Sequence, residues 1–366
     1  MLVFFVPPDD LEAWSTAQPG AGEVALVTAD PEAAARFGFP GQRILVLGPA
    51  SADPWVAWFA ERYPGLRVDR VTVSDPAAFQ EVWAGHRGPG FHWPRWWTPG
   101  PLRVGATLSS GATVAQLASL TAGRATAVRV PVQLSGLLPR VLAEQAPETL
   151  VVLSASPTSG RSETPQAFVT ELATALGSWY QQGARLLELC PEPNLPQGGW
   201  GATWRSPEAF REWWGQAAAL LRRLFPELRL GWPGLAPGWL AAIADGTGPE
   251  GFEPMGVGCD WLAVRVPWRD GRELFSVSGG LAPWLARQAW PDHLMLITGF
   301  GPVDATETEP IRAEQCVRFL ETVQALPGVG AAFTAGPGAA WNATPERLTA
   351  IALRLGDRPP YSVASS

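Results

Sequence analysis

Short apolar runs recur along most of the chain, and amphipathic helical patterns separate them. From residue 102 onward the runs at 149–153 and 294–298 are apolar almost throughout, as expected for strands buried on both faces. Helical patterns follow most of the runs, for example at 164–181, 206–225, 279–290, 310–326 and 345–355. Eight candidate strands begin near Leu102, Thr126, Thr149, Ala184, Leu228, Asp260, His293 and Val329. Eight such units in about 265 residues predict a (β/α)8 TIM barrel, whose typical length is about 250 residues. A doubly wound open sheet is the competing arrangement.

Residues 1–85 show the same alternation on a smaller scale. Four apolar runs, at 2–6, 23–28, 43–48 and 67–73, alternate with helical patterns at 8–14, 30–37, 53–63 and 75–83. An aspartate followed by proline begins three of these helices, which places an N-cap before a first-turn proline. The pattern predicts a small parallel α/β domain of the flavodoxin or Rossmann type. No GxGxxG motif follows its first strand, so the interpretation is a packing or docking domain with a possible protein partner.

A segment rich in Trp, Pro and Gly, residues 86–101, joins the two parts. Its glycines and prolines predict irregular backbone. The segment is either a strap packed between the domains or one wall of a ligand cleft, with Trp93, Trp96 or Trp97 stacking on a ring. The predicted organisation is therefore a domain at 1–85, the strap at 86–101, a barrel at 102–356 and a tail at 357–366.

Composition narrows the functional classes. A net charge of −7 argues against a nucleic-acid-binding protein. No apolar run approaches the roughly 18 residues of a membrane span, and the first residues lack the basic region of a signal peptide, so a cytoplasmic protein is expected. Three widely spaced cysteines predict no disulfides, and with only three histidines in the chain a metal site is not expected. All 27 basic residues are arginines, which excludes lysine Schiff bases and P-loops, and no cofactor is expected.

Candidate chemistry lies where the predicted barrel strands end, because TIM barrels gather functional groups there. Glu192 follows strand 4 and is flanked by two prolines, which fix the local backbone. Asn194 comes two residues later. Arg129 alternates with apolar residues on strand 2 and needs an acidic or polar partner, for which Glu192 is a candidate. The alternative is that Glu192 is only a structural carboxylate paired with Arg129 or Arg265, and that Asn194 only caps the next segment.

Three segments at the predicted strand ends read Val128-Arg-Val-Pro131, Glu192-Pro-Asn194 and Leu296-Ile-Thr-Gly-Phe-Gly301. They resemble the corresponding segments of the clan A glycoside hydrolases, such as family 5. The resemblance covers 102 to about 356, and it implies that Glu192 is the acid/base and that position 299 corresponds to the nucleophile.

Five positions depart from that pattern. Gly299 stands where the nucleophilic glutamate is expected, and Pro191 replaces the asparagine that binds the sugar 2-hydroxyl. Arg265 replaces a His-x-Tyr pattern on strand 6. The ends of strands 3 and 8, 154–156 and 333–334, lack the expected histidine and tryptophan.

Retaining glycoside cleavage needs two carboxylates, so Gly299 leaves that pair incomplete. Asp304, in the same loop, is a candidate inverting base, and Asp270 and Glu273 are weaker ones. Aromatic candidates for sugar stacking, each alternatively a packing residue, are Trp96, Trp200, Trp204, Trp232, Trp268 and Trp341.

Three hypotheses follow. The first is a glycoside hydrolase-like barrel that has lost the retaining mechanism and acts as a carbohydrate-binding or scaffold protein, with Arg129, Arg265 and Asn194 in its site. The second is an active glycosidase with Glu192 as acid and Asp304 as base. The third is a structural or assembly protein.

Overall fold

A computed structural model describes most of the predicted barrel strands and part of the region before them. The described residues are 2–7, 25–28, 30–31, 34, 43–47, 53–63, 67–71, 91–108, 125–134, 138–158, 161–235, 258–269, 273–275, 279–280, 282–290, 292–302, 307–324 and 326–334.

Eight parallel strands close into a barrel, which confirms the predicted (β/α)8 fold. Every strand begins within two residues of its predicted start. In chain order they are β5 (Arg103–Thr107), β6 (Ala127–Pro131), β7 (Leu150–Ala155), β8 (Leu186–Leu189), β9 (Arg229–Trp232), β10 (Trp261–Trp268), β11 (Met295–Pro302) and β12 (Val329–Thr334). Each strand pairs with its neighbours in sequence, and β12 pairs with β5 to complete the ring.

Helices of the described part cover the outside of the barrel. They are α2 (Leu138–Gln145), α3 (Pro165–Gln181), α4 (Pro207–Leu224), α5 (Ala282–Ala289) and α6 (Glu309–Gln324). The side chains of Thr164 and Ser206 cap α3 and α4 by accepting the N–H groups of Ala167 and Ala209. A proline follows each cap in the first turn of the helix, where its missing N–H leaves no hydrogen bond unmade. The helix predicted at 345–355 lies outside the described residues.

Side chains alternate along the barrel strands between an interior and an exterior core. Ala127, Leu186 and Leu296 belong to the interior cluster. Their chain neighbours Val128 and Leu187 belong to the exterior cluster beneath the helices. This period of two means that a polar residue two positions beyond an interior apolar one also points into the barrel.

The described part of the strap packs against the amino-terminal end of the barrel. Trp97 is buried in the interior cluster, and its ring would collide with any side chain at Gly330. Trp96 lies under the guanidinium of Arg229, the first residue of β9. These contacts favour packing over a cleft wall. Trp96 was expected among the ligand-binding residues, but it lies at the end of the barrel opposite to the strand ends that carry Glu192.

The N-terminal region contains a four-stranded parallel sheet with the order β2-β1-β3-β4. Its strands are β1 (Leu2–Phe5), β2 (Ala25–Thr28), β3 (Arg43–Leu47) and β4 (Arg67–Val71). This order is that of the first four strands of a flavodoxin-like sheet. Helix α1 (Asp53–Arg62) packs on it through Trp55 and Phe59, whose rings contact Phe5. The helices predicted at 8–14 and 75–83, and most of the one at 30–37, lie outside the described residues.

Candidate functional site

A buried ion pair forms the floor of the site inside the barrel. Both Nε and Nη2 of Arg129 on β6 lie 2.7 Å from Oε2 of Glu188 on β8. The other carboxylate oxygen of Glu188 accepts a hydrogen bond from the Thr298 hydroxyl at 3.2 Å and one from the Gly234 N–H at 3.1 Å. Sequence reasoning offered Glu192 as the partner of Arg129, and that interpretation was wrong. Glu188 lies inside β8 and is fully buried, whereas Glu192 lies in the loop after the strand and is partly exposed.

The chain turns sharply after β8, and this turn presents Glu192 at the mouth. Cys190 has φ 60° and Glu192 has φ 52°, both in the left-handed region that non-glycine residues rarely adopt. The Glu192 N–H donates to the carbonyl of Gly234, which ties the turn to the end of β9. Non-glycine residues held in this conformation tend to gather at functional sites, because strain there is tolerated only where the surroundings enforce it.

Arg265 on β10 is the charge partner of Glu192. Its Nε lies 3.1 Å from Glu192 Oε1. Burial lowers the pKa of the Arg265 guanidinium, the nearby carboxylates of Glu192 and Glu188 counteract that effect, and Arg129 adds to it. Two arginines and two glutamates thus form one compact cluster in which the formal charges balance. The expectation that Arg265 could neutralise Glu192 fits this geometry.

Gly299 lies beside the guanidinium of Arg265. A β-bulge displaces the register of β11, so Val264 pairs with Ile297 but Arg265 pairs with Gly299. A Cβ atom built on Gly299 would stand 3.4 Å from both Cζ and Nη2 of Arg265. The position expected for a nucleophilic carboxylate therefore has no side chain and lies next to a positive charge.

Gly234 links the Arg129–Glu188 pair, deeper in the barrel, to the Arg265–Glu192 pair above it. Its N–H donates to Glu188 and its carbonyl accepts from Glu192. A Cβ at this position would lie 2.7 Å from Cγ of Arg265, so only glycine lets that side chain pass. Gly234 was not identified from the sequence, because one glycine after a strand has no distinctive pattern.

The tryptophans proposed for sugar stacking mostly pack beneath the helices. Trp204 is buried, and its indole N–H donates to the Pro193 carbonyl. Trp268 is buried against Phe300 and donates to Gln315 on α6. Trp232 is buried as well. These three rings cannot stack on a ligand without repacking the core.

The remaining candidates divide into described and undescribed positions. Trp200 is half-buried next to Trp204, and Asn194 is buried at the base of the turn that carries Glu192. Glu273 pairs with Arg269, four residues earlier, at 2.5 Å. The other positions, Asp304, Asp270 and Trp341, lie outside the described residues.

Glu188 and Thr298 are site residues that the sequence interpretation missed. The signal was present for Glu188, because it is the one charged residue in the apolar run 186–189 and follows the interior residue Leu186 by two positions. Thr298 gave no such signal, since the bulge that turns both it and Gly299 inward cannot be deduced from alternation alone.

The described residues contain no group of three or more histidine, cysteine or acidic side chains placed to hold a metal ion. In the same part of the chain, no helix combines the length and apolarity required to cross a membrane.

Comparisons with known proteins give a likeness of fold. No protein-family model matches the sequence, and no curated protein matches it significantly. Among solved structures, a family 26 endo-β-1,4-mannanase from Cellulomonas fimi is 14% identical over 71% of each chain, with a TM-score of 0.49. A family 39 glycoside hydrolase from Bacteroides cellulosilyticus WH2 is 12% identical over 70% of this chain and 64% of its own, with a TM-score of 0.48.

A glucosidase from Croceicoccus marinus is 12% identical over 70% of this chain and 68% of its own, with a TM-score of 0.47. Barrels of one architecture carry many unrelated activities, so the function of this barrel depends on its own residues.

Proposed function

We propose that this protein is a carbohydrate-binding barrel of glycoside hydrolase-like fold that lacks the retaining glycosidase mechanism. The observation that carries the proposal is the Arg265 guanidinium, which pairs with Glu192 and lies against Gly299. Retaining cleavage requires a second carboxylate roughly 5–5.5 Å from the acid/base, and its transition state resembles an oxocarbenium ion. A guanidinium at that place disfavours a developing positive charge instead of stabilising it.

The retained polar groups support binding rather than a purely structural role. Glu192 follows the end of β8, where barrels place their functional groups, and Arg265 reaches it from inside β10; both side chains are partly exposed. The strained backbone at Cys190 and Glu192 holds the carboxylate in that position.

Hydrolysis assays test the proposal against the active-enzyme alternative. Wild type, Glu192→Gln and Asp304→Asn are incubated with a panel of aryl glycosides and polysaccharides, and the same polysaccharides are cast into native gels to measure retardation. We expect retardation by at least one polysaccharide and no product from any of the three proteins. Wild-type cleavage that disappears in both variants would instead establish an active glycosidase with Asp304 as base.

A further variant tests the empty position. Gly299→Glu places a carboxylate beside Arg265, which Glu192 already neutralises, so circular dichroism first checks that the variant is folded. Product release by this variant from a substrate that wild type leaves intact would support the loss of a nucleophile. If no polysaccharide retards wild type in the native gels, carbohydrate binding is contradicted and a scaffold role is favoured.

A further inference from the structure

The two ion pairs of the site differ in their access to solvent. The side chains of Arg129 and Glu188 are 6% and 0% exposed, whereas those of Arg265 and Glu192 are 13% and 18% exposed. The lower pair is therefore sealed. Among the described charged residues of the cluster, the upper pair is the one that a ligand at the mouth would meet.

The charge balance of the cluster disfavours a charged ligand. Arg129 and Arg265 contribute two positive charges, and Glu188 and Glu192 contribute two negative ones. An ionised ligand group placed beside the upper pair would be attracted by one member and repelled by the other. It would also lose its hydration without gaining a full counter-charge. An uncharged ligand avoids both costs.

The hydrogen-bonding capacity of the upper pair defines which uncharged ligand fits. A carboxylate only accepts hydrogen bonds and a guanidinium only donates them, while a hydroxyl group can do both. Two neighbouring hydroxyls can therefore bind side by side, one donating to Glu192 and the other accepting from Arg265. The 3.1 Å between Nε and Oε1 brings donor and acceptor as close together as hydrogen-bonded neighbours.

We infer that Glu192 and Arg265 together recognise a pair of neighbouring hydroxyl groups on an uncharged saccharide, and that their charge balance excludes acidic sugars. This inference rests on the proposed carbohydrate-binding function and adds the ligand class and the residues that select it. The interaction is non-covalent, so no bond in the ligand is made or broken.

Removing one charge of the pair should change the preference in a defined direction. Glu192→Gln keeps the size of the side chain and leaves Arg265 with an uncompensated positive charge. The probes are gluco-, manno- and xylo-configured uncharged trisaccharides and trigalacturonate, titrated by calorimetry at low salt. We expect wild type to bind the best uncharged probe more tightly than trigalacturonate. In Glu192→Gln the affinity for the uncharged probe should fall about tenfold, because a charge-assisted hydrogen bond is lost, and that for trigalacturonate should rise.

Two further variants separate this effect from a general change of charge. Glu227→Gln makes the same chemical change in the ion pair with Arg185, which lies next to the first residues of β8 and β9, and should leave both affinities unchanged. Arg265→Gln leaves Glu192 alone and should weaken the uncharged probe without any gain for trigalacturonate. Circular dichroism checks that each variant is folded.

The outcomes distinguish this inference from the proposed function. Wild-type preference for trigalacturonate, or equal changes for both probe classes in Glu192→Gln, would overturn the inference while leaving carbohydrate binding intact. An equal shift in Glu227→Gln would also overturn it, because the charge effect would then not arise at the mouth. If no saccharide binds to wild type or to any variant, the proposed function itself fails.

Discussion

The Arg129–Glu188 ion pair offers a quantitative test of the floor of the site. The perturbation is a double-mutant cycle of Glu188→Gln, Arg129→Met and the combination of the two. Each single substitution leaves one charge buried without its partner, since Glu188 is fully buried and Arg129 is 5% exposed. The double substitution removes both charges and keeps an amide oxygen for the N–H of Gly234 and the hydroxyl of Thr298.

The expected magnitudes follow from burial. Breaking a buried pair from one side costs about 3–5 kcal/mol, because the remaining charge stays desolvated. In the double variant the glutamine NH2 group has no acceptor, which costs about 1–3 kcal/mol, and no buried charge remains. Two single losses of that size sum to about 6–10 kcal/mol, so the double variant should be more stable than additivity predicts by at least about 3 kcal/mol.

Urea unfolding followed by tryptophan fluorescence measures the free energy of unfolding of all four proteins. Glu227→Gln is the matched control, because its pair with Arg185 is largely exposed and should contribute at most about 1 kcal/mol. Additive losses within about 0.5 kcal/mol would show that the two charges do not interact. Single losses no larger than that of the control would show that the pair is not buried, and the geometry of the floor would be refuted.

Two other predictions concern single positions. Gly234→Ala places a Cβ 2.7 Å from Cγ of Arg265 and should lower the free energy of unfolding by about 1–3 kcal/mol. Gly215→Ala, in the open face of α4, should raise it by about 1 kcal/mol. Urea unfolding that shows both variants stabilised, or both destabilised, would contradict this prediction. Burial lowers the pKa of His293, Arg287 reinforces that effect and Asp292 opposes it. The folded protein therefore binds this proton less readily than the unfolded chain, so stability is greatest above the unfolded value of about 6.5 and falls as the pH drops through the folded value. His293→Gln should reduce the loss of unfolding free energy between pH 7.5 and 5.5. If the free energy of unfolding of the variant and of wild type changed in parallel with pH, His293 would not be the group responsible.

The barrel could be predicted from the sequence because two kinds of local pattern alternate along the chain. Apolar runs mark where the strands lie, and amphipathic patterns such as those at 164–181 and 206–225 mark the helices between them. Both patterns are set by neighbouring residues in the chain and do not depend on contacts with distant ones. Closure into a ring followed from the count of eight units rather than from any one residue.

The ion pairs inside the barrel were harder to predict. A side chain must point inward, and its partner must lie at the same depth along the barrel. Arg129 was correctly expected to need an acidic partner. Its actual partner, Glu188, lies four residues before the glutamate that the family resemblance emphasised. Alternation shows which residues point inward, but only the register between β6, β7 and β8 shows which of them meet.

The tryptophans show why a position along the chain does not fix a role. Trp204 and Trp268 fall close to strand ends, where a ligand would meet them, yet both rings lie beneath helices. Phe300 faces outward against Phe319 only because the β11 bulge adds a residue before it. The same bulge turns Gly299 towards Arg265. One extra residue in a single strand therefore decides both which aromatic ring is buried outside the barrel and which position faces the charged pair inside it.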